Sequence, residues 1–176
     1  MSLRHVALLA IASVLLMGCP NDNDDEEVEP TVEPQASLGE SVTYRGAEGT
    51  DAEWEMEVVV EEVDCDIEID EVEVDPVDGR LCAVRLQLEN TGQEPNIDPF
   101  FQSSSLLADD GEIYLALDVA STQYMEEQGL EPILAVEPGG SAEEYMVFSV
   151  SDDAEPEYLY LKAGPDDEFF IIDLGS

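Results

Sequence analysis

The stretch from Leu81 to Gly92, LCAVRLQLENTG, limits most strongly what this chain can fold into. Apolar residues recur at every second position, which is the period of a β-strand with one buried face. The face expected to be buried comprises Cys82, Val84, Leu86 and Leu88, and the other comprises Ala83, Arg85, Gln87 and Glu89. Asn90 and Gly92 end the strand, because Asn and Gly tolerate the positive φ of a tight turn. The stretch therefore predicts a central strand of a secreted β-sandwich.

The first residues indicate export. Arg4 and His5 precede an apolar run of 11 residues, Val6 to Leu16, which is too short for a membrane-spanning helix of about 20 residues. Residues 1–18 are therefore predicted to be a signal peptide. An aliphatic residue three positions before Cys19 and a glycine directly before it resemble a bacterial lipobox, in which the cysteine is lipidated and becomes the mature N-terminus. The alternative is an ordinary signal peptide followed by a chance cysteine.

A tether follows the predicted anchor. Residues 19–36 are acidic and contain prolines, with Val28 and Val32 as the only large apolar residues. Such a segment cannot bury enough surface to offset the entropy of ordering, so we expect an extended, self-repelling linker. No later stretch approaches membrane-spanning length, so the lipid on Cys19 would be the only attachment to the membrane.

Residues 37–176 are predicted to form one domain, because roughly 140 residues suffice for a core. Besides the central strand, alternating or apolar segments bounded by Pro, Asp or Gly turns lie at 39–44, 53–61, 65–74, 96–107, 113–117, 143–150, 158–163 and 169–174. Between them, Asp118 is a candidate cap for a short helix ending at Gly129. Seven to nine short antiparallel strands with at most one short helix predict an all-β fold, an immunoglobulin-like β-sandwich.

Several short pieces carry a resemblance to a known family. They are Cys65 before the central strand, GRLCAVRLQLENTG at 79–92, LLADDGEIY at 106–114, and EPGGS at 137–141 leading to Phe148. The arrangement resembles the immunoglobulin-like domain of unknown function in bacterial lipoproteins, which also occurs in the secreted mycobacterial immunoprotective antigen. The resemblance covers most of residues 40–174 and implies a sandwich, a secreted or surface location and no catalytic residues. The extreme acidity and the long acidic insert between Cys65 and Cys82 depart from it.

Cysteine usage agrees with a secreted domain. If Cys19 is lipidated, only Cys65 and Cys82 remain, and in an oxidising compartment we expect them to form a disulfide. Such a bond would stabilise the fold by about 3 kcal/mol in the loop-entropy model. The competing interpretation is metal binding by the two thiolates, for which the chain lacks the histidines that would complete a zinc site.

Missing residue types exclude most catalytic chemistry. His5 is the only histidine and would leave with the signal peptide, which excludes Ser-His-Asp and Cys-His mechanisms. Lys162 is the only lysine and has no serine three positions before it, and the chain has no phosphate-binding loop. A glycan hydrolase based on paired carboxylates remains as an alternative, with Asp173 in the run FFIIDL as the acid most open to desolvation. A solvent-facing edge position explains Asp173 more simply, so we expect no enzyme and no cofactor.

The formal charge of −39, from 44 acidic and 5 basic residues, excludes nucleic acid as a partner. One interpretation is a salt-adapted surface, since screening at high salt removes the self-repulsion and the alternation places acids at nearly every outward strand position. The other is a cation site, for calcium or a basic partner, in the acidic stretch 64–78. The candidate ligands there are Asp64, Asp66, Glu68, Asp70, Asp75 and Asp78.

The aromatic residues also allow two interpretations, a binding groove or a core. Trp54, Tyr145, Phe148, Tyr158 and Tyr160 could form the floor of a carbohydrate groove, although aromatics on alternating positions more often fill a core. Together, these patterns predict a lipoprotein on the extracytoplasmic face of the cell membrane. Its sandwich would bind an unknown cell-envelope or extracellular ligand without catalysis.

Overall fold

Two β-sheets make up the part of the chain that the structure describes. A computed structural model describes residues 33–45, 55–69, 79–96, 104–163 and 168–175, all within the compact unit Val32–Ser176. In chain order the elements are β1 (Ala36–Ser37), β2 (Ser41–Arg45), β3 (Glu55–Asp64), β4 (Arg80–Asn90), β5 (Ser105–Ala108), β6 (Ile113–Leu115), α1 (Asp118–Glu127), β7 (Ser141–Val150), β8 (Pro156–Ala163) and β9 (Glu168–Asp173). The predicted β-sandwich with one short helix is confirmed.

The two sheets differ in the number and order of their strands. One sheet has four strands in the order β2-β3-β4-β7, and the other has five in the order β1-β9-β8-β5-β6. Neighbouring strands are antiparallel except β1 and β9, which are parallel. The prediction of antiparallel strands alone is therefore wrong for this pair, since strands from the two ends of a chain need no hairpin to meet.

The central strand lies where the sequence places it. β4 lies between β3 and β7, and its predicted buried residues, Cys82, Val84, Leu86 and Leu88, are at most 1% exposed. Across the core they meet the inner residues of the five-stranded sheet, among them Leu106, Leu159, Leu161 and Ile172. Ala83, on the other face of β4, is also buried, because the helix covers that face.

Strand β3 departs from simple alternation near its end. The register with β4 shifts between Val60 and Glu62, which is a β-bulge, and Val63 rather than Glu62 then packs against the core. The predicted strand 65–74 is not formed over 65–69, and residues 70–74 lie outside the described ranges.

The helix α1 packs on the outer side of β7. Ala120 is fully buried, and Ser121 Oγ accepts a 2.8 Å hydrogen bond from the Val147 N–H. Gly129, with φ of +76°, ends the helix as predicted. Asp118 does not cap it, because the N-cap position belongs to Leu117 and Asp118 is the first helical residue.

Candidate functional site: the outer face of the five-stranded sheet

Strands β5, β6, β8 and β9 carry apolar residues on both faces. In β8, Leu159 and Leu161 enter the core, so the strand period turns Tyr158 and Tyr160 outward. We call the outward surface of these four strands the tyrosine face. It comprises Ser105, Leu107, Ile113, Leu115, Tyr158, Tyr160, Lys162, Phe169, Ile171 and Asp173.

Cross-strand pairing arranges the tyrosine face in three rows. The first row reads Ile113, Leu107, Tyr158 and Asp173, the second reads Leu115, Ser105, Tyr160 and Ile171, and the third reads Lys162 and Phe169. Side chains of directly opposed residues lie within contact range across a ladder. The apolar residues therefore form one continuous surface that crosses four strands.

The apolar side chains of this surface reach solvent. Leu115 is 67% exposed, Ile113 62% and Phe169 43%, while Tyr158 and Tyr160 are half-buried. Single exposed apolar residues are ordinary on monomeric proteins, whereas large contiguous apolar surfaces are uncommon on them.

The tyrosine face carries few charged residues. Among the ten residues assigned to the face, Asp173 is the only acid and Lys162 the only base, in a chain that has 44 acids. Asp173 lies outward, as expected from the sequence, and accepts a 2.9 Å hydrogen bond from the Gly175 N–H. The expected edge position is wrong, because β9 pairs with both β1 and β8. The expectation that acids occupy nearly every outward strand position is not met here, because β8 and β9 supply apolar residues to both faces.

Strand β6 is fixed at the rim of the tyrosine face. Between the exposed Ile113 and Leu115, Tyr114 packs against the core, and its hydroxyl donates a 2.7 Å hydrogen bond to Asp110 Oδ2. The same hydroxyl lies 3.0 Å from Ser151 Oγ, in the turn after β7. The Tyr114 hydroxyl and then the Glu112 N–H lower the pKa of the Asp110 carboxyl, because both donate to its ionised form. These contacts hold the two most exposed side chains of the face in place.

The opposite outer face of the sandwich is covered where it is formed by β4 and β7. α1 and residues 67–69 pack over β4 and β7, where Tyr124 and Tyr145 meet edge to face with ring centroids 5.1 Å apart. Burial, then nearby Asp64 and Glu62, raises the pKa of Tyr124, and burial and Glu143 raise that of Tyr145. The tyrosine face has no such cover among the described residues.

The predicted aromatic group does not form one site. Phe148 is fully buried in the core, and Tyr145 lies under the helix, whereas Tyr158 and Tyr160 lie on the tyrosine face. Trp54 lies outside the described residues. Ile113 and Leu115, the most exposed members of the face, were not predicted as site residues, because three residues are too few to establish which side of a strand is buried.

The disulfide is confirmed. Cys65, just after β3, is bonded to Cys82 on β4, with the sulfur atoms 2.05 Å apart. Cys82 is fully buried and pairs with Phe148 on β7. The bond therefore joins the start of the acidic insert to the centre of the four-stranded sheet.

The predicted cation ligands are only partly described. The structure describes Asp64, Asp66 and Glu68, while Asp70, Asp75 and Asp78 lie outside it. Asp64 Oδ1 accepts a 2.9 Å hydrogen bond from the Asp66 N–H. Within the described ranges, no three His, Cys, Asp or Glu side chains are grouped to hold a metal ion. The site as a whole stays a prediction.

Cys19, the signal peptide and the linker as far as residue 32 also lie outside the described residues. In the ranges that the structure does describe, α1 is the only helix, and no helix is long and apolar enough to span a membrane.

One acid that the sequence analysis missed faces the core. Glu144 on β7 is in phase with Met146 and Phe148, which are core residues, and burial raises the pKa of its carboxyl from 4.5 to about 8. Its Oε2 is buried and has no hydrogen-bond partner among the described residues. The signal was present in the alternation of 144, 146 and 148.

Comparisons with known proteins agree with the fold. The chain is similar to MPT63, a secreted protein from Mycobacterium tuberculosis, with 15% identity, coverage of 81% of this chain and 99% of MPT63, and a TM-score of 0.55. It is also similar to the yjhA protein from Bacillus subtilis, with 14% identity, coverage of 79% and 98%, and a TM-score of 0.50. No protein-family model matches the chain, and no curated protein matches it significantly. At these identities the likeness shows a shared β-sandwich fold.

Proposed function

We propose that this chain is a lipid-anchored, non-catalytic binding module on the outer side of the cell membrane, and that it binds its partner through the tyrosine face. The observation that carries the binding proposal is the continuous apolar surface with Ile113 and Leu115 more than 60% exposed in a chain of charge −39. An outward apolar surface lowers solubility, and a role in binding accounts for its presence.

The chemistry of the face narrows the partner. Tyrosine rings and aliphatic side chains bury apolar area, and the Tyr158 and Tyr160 hydroxyls can donate hydrogen bonds to acceptors of the partner. A partner that presents anionic groups to this face would be repelled by the surrounding acids. The partner therefore presents a surface of low charge with apolar groups. The acidic remainder of this protein keeps the protein solvated in high external salt.

Support for the location comes from the lipobox-like residues before Cys19, from the linker composition and from the fold shared with the secreted protein MPT63. Support for a non-catalytic role comes from the residue types, since His5 lies in the predicted signal peptide and Lys162 is the only lysine. The acidic stretch 64–78 remains the alternative binding site, for calcium.

Cross-linking in intact cells tests the binding proposal. A photoreactive benzoylphenylalanine is introduced at Leu115 in the full-length chain and, as a matched control, at Val119 on α1, which is 61% exposed. We expect one discrete adduct from position 115 and none from position 119. Equal adducts from both positions, or none from either, would contradict a specific role for the tyrosine face.

Metabolic labelling with palmitate tests the anchor separately. The full-length chain should take up the label, and Cys19→Ser should abolish the uptake and release the protein from the membrane fraction. An unlabelled wild-type chain would overturn the anchoring proposal without bearing on the tyrosine face.

A further inference from the structure

We infer that the partner of the tyrosine face is a second copy of this chain, which binds face to face in a twofold-symmetric dimer. This inference rests on the proposed function, because it names the partner of the same surface. Three observations support it: the distribution of charge, the residue types on the face, and the positions of its two charged residues relative to a twofold axis.

Electrostatic repulsion makes the tyrosine face the preferred meeting surface. Two bodies of charge −39 repel each other, and the repulsion is strongest where acids face acids. Among the ten residues assigned to the tyrosine face, the one acid, Asp173, is accompanied by the one base, Lys162. A copy that approaches by this face therefore meets no excess of negative charge on it.

The residue types match those of a sheet-on-sheet interface. Two sheets pack face to face at about 10 Å, with their apolar side chains interdigitated. Leucine, isoleucine, phenylalanine and tyrosine make up most of the tyrosine face, and the first three also fill the core between the sheets of one molecule. Packing a second copy on the face would repeat the contact that already holds the sandwich together.

The two charged residues fit a twofold axis. Lys162 stands in the third row and Asp173 in the first, on adjacent strands, with Tyr160 and Ile171 between these rows. A twofold axis that runs across the strands at the middle row exchanges the first and third rows of the two copies. Lys162 of each copy then lies over the row that contains Asp173 of the other, so unlike charges approach at both ends.

Sedimentation equilibrium tests the dimer on the mature chain that begins at residue 19, with Cys19→Ser to prevent lipidation. Every contact described above lies between Gln35 and Gly175, so this chain retains them all. We expect a dimer in molar sodium chloride whose dissociation constant rises about tenfold or more at physiological salt, because screening of the mutual repulsion is lost. Leu115→Lys should shift the population to monomer, and Val119→Lys, equally exposed on α1, should leave it dimeric.

The outcomes separate this inference from the proposed function. A monomeric wild type in molar salt, or equal dissociation by both lysine variants, would overturn the dimer. If the adduct from position 115 in cells then contains a different molecule, the binding module stands and only the identity of its partner is wrong. If that position yields no adduct and the protein is monomeric, both proposals fail. Thermal melts of the two variants establish that each remains folded.

Discussion

Glu144 on β7 lies directly opposite Leu86 on β4, on the face of the sheet that forms the core. Leu86 is fully buried, and the Glu144 carboxyl, held among apolar neighbours, has a pKa of about 8. The carboxyl is therefore protonated in the folded protein at neutral pH, whereas in the unfolded chain it ionises near 4.5. Folding takes up a proton at this position.

This proton uptake predicts how stability depends on pH. Because the folded-state pKa is raised, the stability that this group contributes is fully present below pH 4.5 and is lost as pH rises towards 8, by about 1.4 kcal/mol per pH unit. Glu144→Gln, which stays neutral, should remove that part of the slope. Denaturant unfolding across this pH range in high salt, which screens the other acids, measures it.

The neighbouring residue supplies the control for Glu144. Glu143 lies on the other face of β7, where its carboxylate accepts a 3.2 Å hydrogen bond from Tyr145. Glu143→Gln should keep the wild-type pH slope. Identical slopes for the wild type and Glu144→Gln would show that the buried carboxyl does not govern the pH dependence.

The disulfide between Cys65 and Cys82 should contribute measurably to stability. It closes a loop with a sequence separation of 17, so its reduction should cost about 3 kcal/mol in the loop-entropy model. Denaturant unfolding of the wild type with and without a reducing agent measures this loss. A Cys65→Ala, Cys82→Ala double variant should lose similar stability and become insensitive to the reducing agent, and a reductant effect that persists in it would contradict the assignment.

Salt should stabilise the protein through screening. With 44 acids against 5 bases, self-repulsion weakens as the Debye length falls to about 3 Å at 1 M salt. The melting temperature should therefore rise steadily with sodium chloride. Millimolar calcium at matched ionic strength should add nothing further, and a sharp rise at low salt would instead reveal a cation site. Asp64→Asn and Asp66→Asn would then be the first variants to test.

A close backbone approach leaves no room for a side chain at Gly79, the residue before β4. A Cβ at this residue would overlap the carbonyl oxygen of Val150 on β7, which is backbone and cannot rotate away. Gly79→Ala should cost about 2 kcal/mol or more, in the range of overpacked sites. Gly111→Ala is the comparison, because a Cβ there meets open space and only the φ of +79° opposes it, which costs about 1–2 kcal/mol. Equal losses in the two variants would show that the overlap is relieved.

Much of the fold was predictable from alternation. In β4 one face is apolar and the other mixed, so the period of two identifies both the strand and its buried side. Cysteine counting found the disulfide for a comparable reason, because few pairings were possible. The end of α1 was predictable as well, since only glycine readily takes the φ that Gly129 adopts.

The tyrosine face was harder to predict, because both sides of β8 and β9 are apolar. The segments YLYL and FFII do not indicate which residues enter the core, and pairing with β5 decides it. Glu144 was missed for the opposite reason. In a chain so rich in acids, one carboxylate in phase with core residues does not stand out until the sheet is assembled.

The parallel pairing of β1 with β9 has a mechanical consequence. The Gln35 N–H donates to the Ile171 carbonyl and the Leu38 N–H to the Asp173 carbonyl, so the start of the sandwich is fastened along its final strand. If the chain is held at Cys19, drag on the domain pulls β1 lengthwise along β9. These hydrogen bonds are then loaded together in shear and do not break one by one. β1, the shortest strand among the described residues, becomes the part that must resist the flow.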